Sequence, residues 1–156
     1  MFSIIIGYPK RGEEIQIVSQ TTSRRREKLQ CVMHADKLLA YQRVVREIPV
    51  ADPVAEYAVR LVNLSRPGRG GAPDFVKDYV AWGASLRASH YLVLAGKARA
   101  VLSGRFGVSI GDIEAVAMPV LRHRIITNFK AEAAKIKSET IVRRLLETVP
   151  KPTSGL

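Results

Sequence analysis

The feature that most constrains the fold is a stripe of apolar residues at helical spacing in the middle of the chain. Asp52 and Pro53 are typical of a helix start, because an aspartate can cap free backbone N–H groups and proline fits the first helical turn. A chain built from such stripes buries them by packing helix on helix. The stripe that follows Pro53 consists of Val54, Tyr57, Ala58, Leu61, Val62 and Leu64.

Helical signals recur along most of the remaining chain. Ser85 takes the N-cap position of the longest predicted helix, whose buried face runs from Ala88 to Leu102, and Gly104 ends that helix. Ser109 and Asp112 form a capping box. The predicted helices cover residues 12–30, 35–45, 52–64, 85–102, 109–119 (with Pro119 ending or restarting the helix) and 138–149, and residues 75–82 add a short helical turn.

The first residues break this pattern. Residues 2–8 form a short β-branched run that ends at Pro9, which is typical of a buried strand. One strand cannot form a sheet, so we expect the chain to begin where a larger α/β domain ends. The predicted fold is an all-α helical bundle with a short N-terminal extended segment. Residues 1–30 are assigned to the end of that larger domain and a connecting helix, 31–149 to the helical domain and 150–156 to a flexible tail.

The net charge of +11 at pH 7 favours acidic partners, which include nucleic acid, nucleotide phosphates and acidic protein surfaces, without choosing among them. Cys31 is the single cysteine, which excludes a disulfide framework or a four-ligand zinc site within one chain and is typical of a reducing, cytoplasmic setting. Residues 1–7 are too short for a signal sequence, and no apolar run is long enough to span a bilayer.

The chain lacks the G-x-x-x-x-G-K-[ST] loop that holds a triphosphate. Its nearest glycine cluster, at residues 68–71, follows a helix and lacks the Lys-Ser/Thr pair, so residues 65–73 are predicted to be a mobile loop. The three histidines, His34, His90 and His123, are scattered among separate segments, and the sequence predicts no metal site.

Arg87 is the strongest candidate for a binding residue. It lies in the first turn of the helix that follows Ser85, where a guanidinium and free backbone amides combine to suit a phosphate. A surface arginine paired with a nearby carboxylate is an equally good interpretation of the same residue.

Several short motifs then occur in a recognisable order. Residues 44–67 are similar to a helical stretch that ends in [TS]-R, and residues 1–14 are similar to a strand leading into Y-P-x-R-x-E-E. Together the motifs cover nearly the whole chain, and they resemble the C-terminal, lid-forming part of MoxR-family AAA+ ATPases. The remaining matches are Gly83-Ala-Ser, Arg87-Ala88, Gly104-Arg105, Val108-Ser109, Asp112-Ile113 and Leu121-Arg-His-Arg-Ile125.

The resemblance implies a helical bundle of the AAA+ lid type. In that family the arginine at the position of Arg87 is the sensor-2 residue, which reaches the terminal phosphates of ATP from the lid side. The ATP and its Mg²⁺ are held by a core domain that this chain lacks. The residues matching Tyr8 and Pro9 lie near the adenine. The family acts as chaperone-like ATPases that assemble or activate protein complexes, with neighbouring subunits in a ring, here a hexamer; no client is implied. No ATP or Mg²⁺ is expected on this chain alone.

The roles of Leu86 and His123 are not assigned by the sequence. Leu86 stands where the family usually has proline, which puts the stiffness of the first turn in doubt but not its charge. His123 is flanked by two arginines that oppose its protonation, and packing, an acidic neighbour or a subunit contact are all compatible with it.

Two rival functions use the same sequence. A basic helical nucleic-acid-binding module would explain the charge, but the basic residues are dispersed and lack an aromatic platform. A protein-interaction domain would use residues 68–73 as a flexible linker. The arginines behind the first alternative are Arg24, Arg25, Arg26, Arg66, Arg69, Arg122, Arg124, Arg143 and Arg144.

Overall fold

A computed structural model describes residues 1–23 and 29–152, and within them the chain is an all-α bundle, as predicted. Two short strands, β1 (Val80–Trp82) and β2 (Ile126–Thr127), pair antiparallel. The helices are α1 (Arg11–Thr21), α2 (Ala35–Glu47), α3 (Asp52–Leu64), α4 (Asp74–Tyr79), α5 (Leu86–Leu102), α6 (Ile110–Leu121), α7 (Phe129–Ala133) and α8 (Ser138–Thr148).

The core lies where α5 packs against α6 and α3, with α8 covering α6 and α3 from the other side. The predicted stripe of α3 is confirmed, since Val54, Tyr57, Ala58, Leu61 and Val62 are buried and Leu64 packs against them at the edge. Tyr57 also donates to Oε1 of Glu114 at 3.2 Å. Burial, together with the charge of Glu114, raises the pKa of Tyr57 to about 12.

The contact between α5 and α6 depends on a glycine. A Cβ atom at Gly96 would lie 3.0 Å from both Cδ1 of Ile113 and Cγ1 of Val108, so a bare backbone lets the two helices approach closely. Gly104, with φ +67°, ends α5 as predicted. Leu102 was expected to be buried but is 88% exposed. It lies roughly 200° around the helix from Ala100, on which the buried face ends.

The predicted capping box at the start of α6 is confirmed and is part of a larger charge cluster. The Asp112 carboxylate is buried and accepts from the backbone N–H of Ser109 at 2.9 Å. Nη1 of Arg105 donates to its Oδ2 at 2.7 Å, and Nε of Arg99 lies 3.2 Å from its Oδ1. The Arg105 guanidinium, followed by the hydrogen bonds from Ser109, holds the pKa of Asp112 well below its usual range.

The prediction of a buried N-terminal strand is wrong. Residues 2–8 form no strand, and Ile4, Ile5 and Ile6 are 76%, 66% and 89% exposed. The described residues place no strand beside them, so the run has neither hydrogen-bonding partners nor apolar cover. The segment is held near α6 by a hydrogen bond from the Ser3 N–H to the Pro119 carbonyl at 2.8 Å.

The helix predicted over residues 12–30 is shorter, because α1 ends at Thr21. Its apolar residues Ile15 and Val18 are exposed, and Leu29 is exposed and outside any helix. The Arg24-Arg25-Arg26 run falls in residues 24–28, outside the residues that the structure describes.

Smaller corrections concern element ends. Asp52 is the first residue of α3 rather than its cap, and Ala51 takes the N-cap position. Pro119 lies inside α6, which continues to Leu121; near a helix end a missing N–H costs little. Residues 65–73 form a loop of successive hydrogen-bonded turns, with Ala72 buried. Within residues 1–23 and 29–152, no helix is both long and apolar enough to cross a bilayer.

Candidate functional site

Arg87 is the second residue of α5 and is exposed. Ser85 is the N-cap residue, as predicted, but its side chain makes no capping hydrogen bond. The first N–H groups of a helix have no partner within the helix and carry partial positive charge. A guanidinium and a positive helix end therefore occur together at this point, which is the combination that binds anions.

Arg87 lines an open cleft of about 1030 Å³ between α2, α3 and α5. Among the residues that the structure describes, no carboxylate lies within 4 Å of its guanidinium, so the interpretation of Arg87 as one half of a surface ion pair loses its support. Within residues 1–23 and 29–152, no Asp or Glu lines the cleft. The lining residues are Arg46, Ala55, Val59, Ser85, Leu86, Arg87, Ser89, His90, Tyr91, Val93, Leu94 and Lys97.

Two further cations share the cleft with Arg87. Arg46 lies on the last turn of α2, and Lys97 lies on α5. Nζ of Lys97 donates to the backbone carbonyl of Arg46 at 2.9 Å, which joins the end of α2 to the middle of α5. Three cations without an acidic residue on the same surface give the cleft a positive potential that favours an anionic ligand.

Arg124, from the Leu121-Arg-His-Arg-Ile125 element, stands beside this cleft. Its guanidinium lies 5.2 Å from the ring centre of Tyr91, a cleft residue, and it donates to the carbonyls of Val120 and Met1. Burial lowers the pKa of Arg124, the Tyr91 phenol raises it, and the charge of Arg87 lowers it further.

The pKa of His123 is lowered, as the flanking arginines predicted. The larger cause is partial removal of the ring from water, and the charges of Arg124 and of the chain's amino terminus follow. His123 does not line the Arg87 cleft. Its neutral imidazole contacts Arg124, which agrees with a packing role rather than with an acidic neighbour.

The entry to α5 depends on Gly83. A Cβ atom there would lie 2.4 Å from the Ser65 carbonyl oxygen and 2.6 Å from Cα of Arg66, distances that real structures avoid. A bare backbone at this position lets the segment before α5 lie directly on the end of α3. The start of α5, and Arg87 with it, is thereby fixed relative to α3.

Tyr8 and Pro9, the other predicted site residues, do not join this cleft. Tyr8 is 103% exposed and Pro9 is exposed, and neither residue lines the cleft. Their place near an adenine stays a prediction. Within the described part of the chain, no three His, Cys, Asp or Glu side chains are grouped so as to hold a metal ion.

Sequence reasoning did not place Arg46, Tyr91, Lys97 or Arg124 at the Arg87 cleft. One signal was present, since positions 87, 90, 94 and 97 recur at helical spacing and mark one face of α5. The sequence did not show which helix lies opposite that face, and this decides that Arg46 joins the site.

Residues 74–145 match the family described as AAA lid domain. The chain is similar to Chaperone MoxR1 of Mycobacterium tuberculosis, with 35% identity over 97% of this chain and 40% of that protein. It is also similar to Protein MoxR of Methylorubrum extorquens, with 38% identity over 65% of this chain and 32% of that protein. Its fold resembles the crystal structure of a proposed ATPase from Cytophaga hutchinsonii, with a TM-score of 0.83 and 26% identity, over 98% of this chain and 47% of that one. The chain thus spans less than half the length of these relatives.

Proposed function

Because this chain belongs to the MoxR family of AAA+ ATPases, whose lid domain it carries, we propose that it closes over ATP and Mg²⁺ held by an ATPase core and that Arg87 contacts the terminal phosphates as the sensor-2 arginine. In this proposal residues 1–30 belong to the end of the core and the connecting helix. The observation that carries the proposal is the exposed Arg87 guanidinium at the start of α5, on a cleft whose described residues include three cations and no carboxylate.

The residues of the cleft fit the phosphates better than the metal. Arg87 offers donors that match phosphate oxygens, and the first N–H groups of α5 add partial positive charge. Magnesium takes oxygen ligands, and none of the described residues that line the cleft is an Asp or Glu, so we assign the metal ligands to the core. Closure of the lid would exclude water and strengthen the attraction between Arg87 and the charge that develops as the phosphate bond breaks.

The contact also provides a switch. While the terminal phosphate is present, Arg87 gains more from the closed arrangement than from the open one. Loss of that phosphate removes the difference, and the lid moves relative to the core. We propose that neighbouring subunits of a hexameric ring receive this movement, in a cytoplasmic, chaperone-like ATPase that assembles or activates other protein complexes.

The direct test is Arg87→Ala in the ATPase assembled from this lid and its core. We expect the kcat for ATP hydrolysis to fall about 100-fold, because a donor aimed at developing charge is lost. Arg87→Lys should retain part of the rate, since the charge stays but the planar fork of donors is lost. Arg69→Ala, an exposed arginine outside the cleft, is the matched control and should leave kcat unchanged. An unaltered kcat in Arg87→Ala would contradict the sensor assignment.

The chain alone should neither bind ATP tightly nor hydrolyse it. A few charge-assisted contacts do not replace the phosphate loop that this sequence lacks. Calorimetry on the purified chain measures the affinity, and phosphate release measures the turnover. ATP turnover by the isolated chain that persists in Arg87→Ala would contradict the proposal that hydrolysis requires the core.

A further inference from the structure

The backbone of Ala84, just before α5, is held by both of its polar groups. Its N–H donates to Oγ of Ser65 at 2.9 Å, and its carbonyl accepts from Nε of Arg66 at 2.8 Å. Ser65 and Ala84 have no exposed surface. Two consecutive side chains at the end of α3 therefore fix one residue at the start of α5.

Both side chains are themselves anchored to the last turn of α3. The Ser65 hydroxyl donates to the Val62 carbonyl at 2.6 Å while accepting from Ala84. Nη1 of Arg66 donates to Oδ1 of Asn63 at 3.0 Å. Every polar partner thus has a defined orientation, and the absent side chain of Gly83 lets the two backbones touch. We call Ser65, Arg66, Gly83 and Ala84 the α3–α5 clamp.

The clamp lies three residues from the candidate phosphate contact, with Ser85 and Leu86 between Ala84 and Arg87. The Ser85 side chain makes no capping hydrogen bond, and Leu86 is 77% exposed, so neither side chain holds the first turn of α5 in place. A proline at position 86 would preset that turn, but leucine does not. The hydrogen bonds to Ala84 are therefore the polar contacts that set where α5 begins.

We propose that Ser65 and Arg66 are positioning residues, which act through the clamp to place the Arg87 guanidinium against phosphate. This inference rests on the function proposed above for Arg87. A catalytic group that is displaced by about 1 Å can lose most of its effect, so loosening the clamp should lower turnover without removing any group that touches the nucleotide. A purely structural clamp would instead affect stability alone.

The test is a double-mutant cycle on the ATPase assembled from this lid and its core. Arg66→Ala should reduce kcat about fivefold, while Arg69→Ala, from the same loop, leaves it unchanged. In an Arg87→Ala background, Arg66→Ala should reduce kcat by less than about twofold, because the guanidinium that Arg66 positions is already absent. Rates are measured well below the melting temperature of every variant, so that unfolding does not enter them.

Ser65→Ala provides a second variant if Arg66→Ala does not fold. It removes one hydroxyl and should show the same pattern, with a smaller loss of about threefold that again disappears in the Arg87→Ala background. Equal losses in both backgrounds, or no loss in either, would overturn the positioning role. If Arg87→Ala itself leaves kcat unchanged, the proposed function fails instead, so the two failures are distinguishable.

Discussion

The two ends of the chain use their apolar residues in opposite ways. Between residues 48 and 149, helices α3, α5, α6 and α8 each bury an apolar face in one common core. Within the described part of residues 1–47, α1 and α2 bury no residue at all. This region nevertheless contains three consecutive isoleucines before α1 and several leucines. Apolar content alone therefore does not make a core; a stripe also needs a complementary surface opposite it.

The exposed apolar surface of the first region is unusual for a free domain. On α2 alone, Leu38, Leu39, Tyr41 and Val44 are each close to half exposed. Since the proposed function assigns residues 1–30 to the end of the core and the connecting helix, we expect part of this surface to pack against the core. Residues 48–149 thus contain the buried contacts that stabilise the lid, and the first region contains exposed apolar surface that could connect the lid to the core.

The largest expected effect comes from cutting a side chain out of the core. Leu61 is fully buried, and Leu61→Ala should lower the free energy of unfolding by about 3 kcal/mol, from lost apolar burial and the cavity left behind. The matched change in the first region, Ile15→Ala, should cost less than about 0.5 kcal/mol, since Ile15 is 58% exposed. Urea unfolding of the isolated chain measures both changes.

Equal losses of unfolding free energy for the two variants would contradict the contrast between the two regions, because they would mean that α1 is packed in solution. The loss of unfolding free energy caused by Ile15→Ala should also be measured with the ATPase core present. A larger cost there than in the isolated chain would place α1 at the interface between lid and core.

A smaller loss is expected from Asp112→Asn, about 2 kcal/mol, because a buried carboxylate with charged donors is replaced while its arginine partners stay half in water. The folded-state pKa of Asp112 is lowered from 3.8, so its stabilisation is present above about pH 4 and is lost as the pH falls further. Unfolding measured against pH should therefore show a shallower acid decline in the variant than in the parent chain.

Asp74→Asn is the matched control for this prediction. Asp74 pairs with Lys77, but its side chain is 92% exposed, and exposed pairs contribute little. Its loss should change stability by less than about 0.5 kcal/mol. A cost as large as that of Asp112→Asn would show that burial is not what makes the Asp112 cluster strong.

The predictable parts of the fold were the local ones. The Ser109–Asp112 capping box and the α3 stripe each depend on residues that are close together in the sequence, and tertiary packing did not override either one. The β1–β2 pair and α7 were not predicted, because two or three residues carry no periodicity and β1 pairs with a strand more than 40 residues away. The isoleucine run was misread because its sequence does not reveal whether a neighbouring strand exists.

The same limit applies to the site. Arg87 could be singled out from its place at a helix start, which is local information. Arg46 and Arg124 could not, because they approach α5 from other helices and loops. The α3–α5 clamp was likewise beyond the sequence, since no pattern pairs Ser65 with a peptide group 19 residues further on.

A smaller effect than that of Asp112→Asn is expected from deleting residues 1–21, which should change the free energy of unfolding by less than about 1 kcal/mol. The segment buries no side chain, and its contacts with the bundle include the Ser3–Pro119 and Arg124–Met1 hydrogen bonds. The deletion also removes the amino-terminal charge from the position of Met1, where it helps to lower the pKa of His123. That pKa, followed by NMR titration, should rise but stay below 6.5, because partial burial and Arg124 remain. A loss above roughly 2 kcal/mol would show that the N-terminal region belongs to the core after all, since two exposed hydrogen bonds do not account for it.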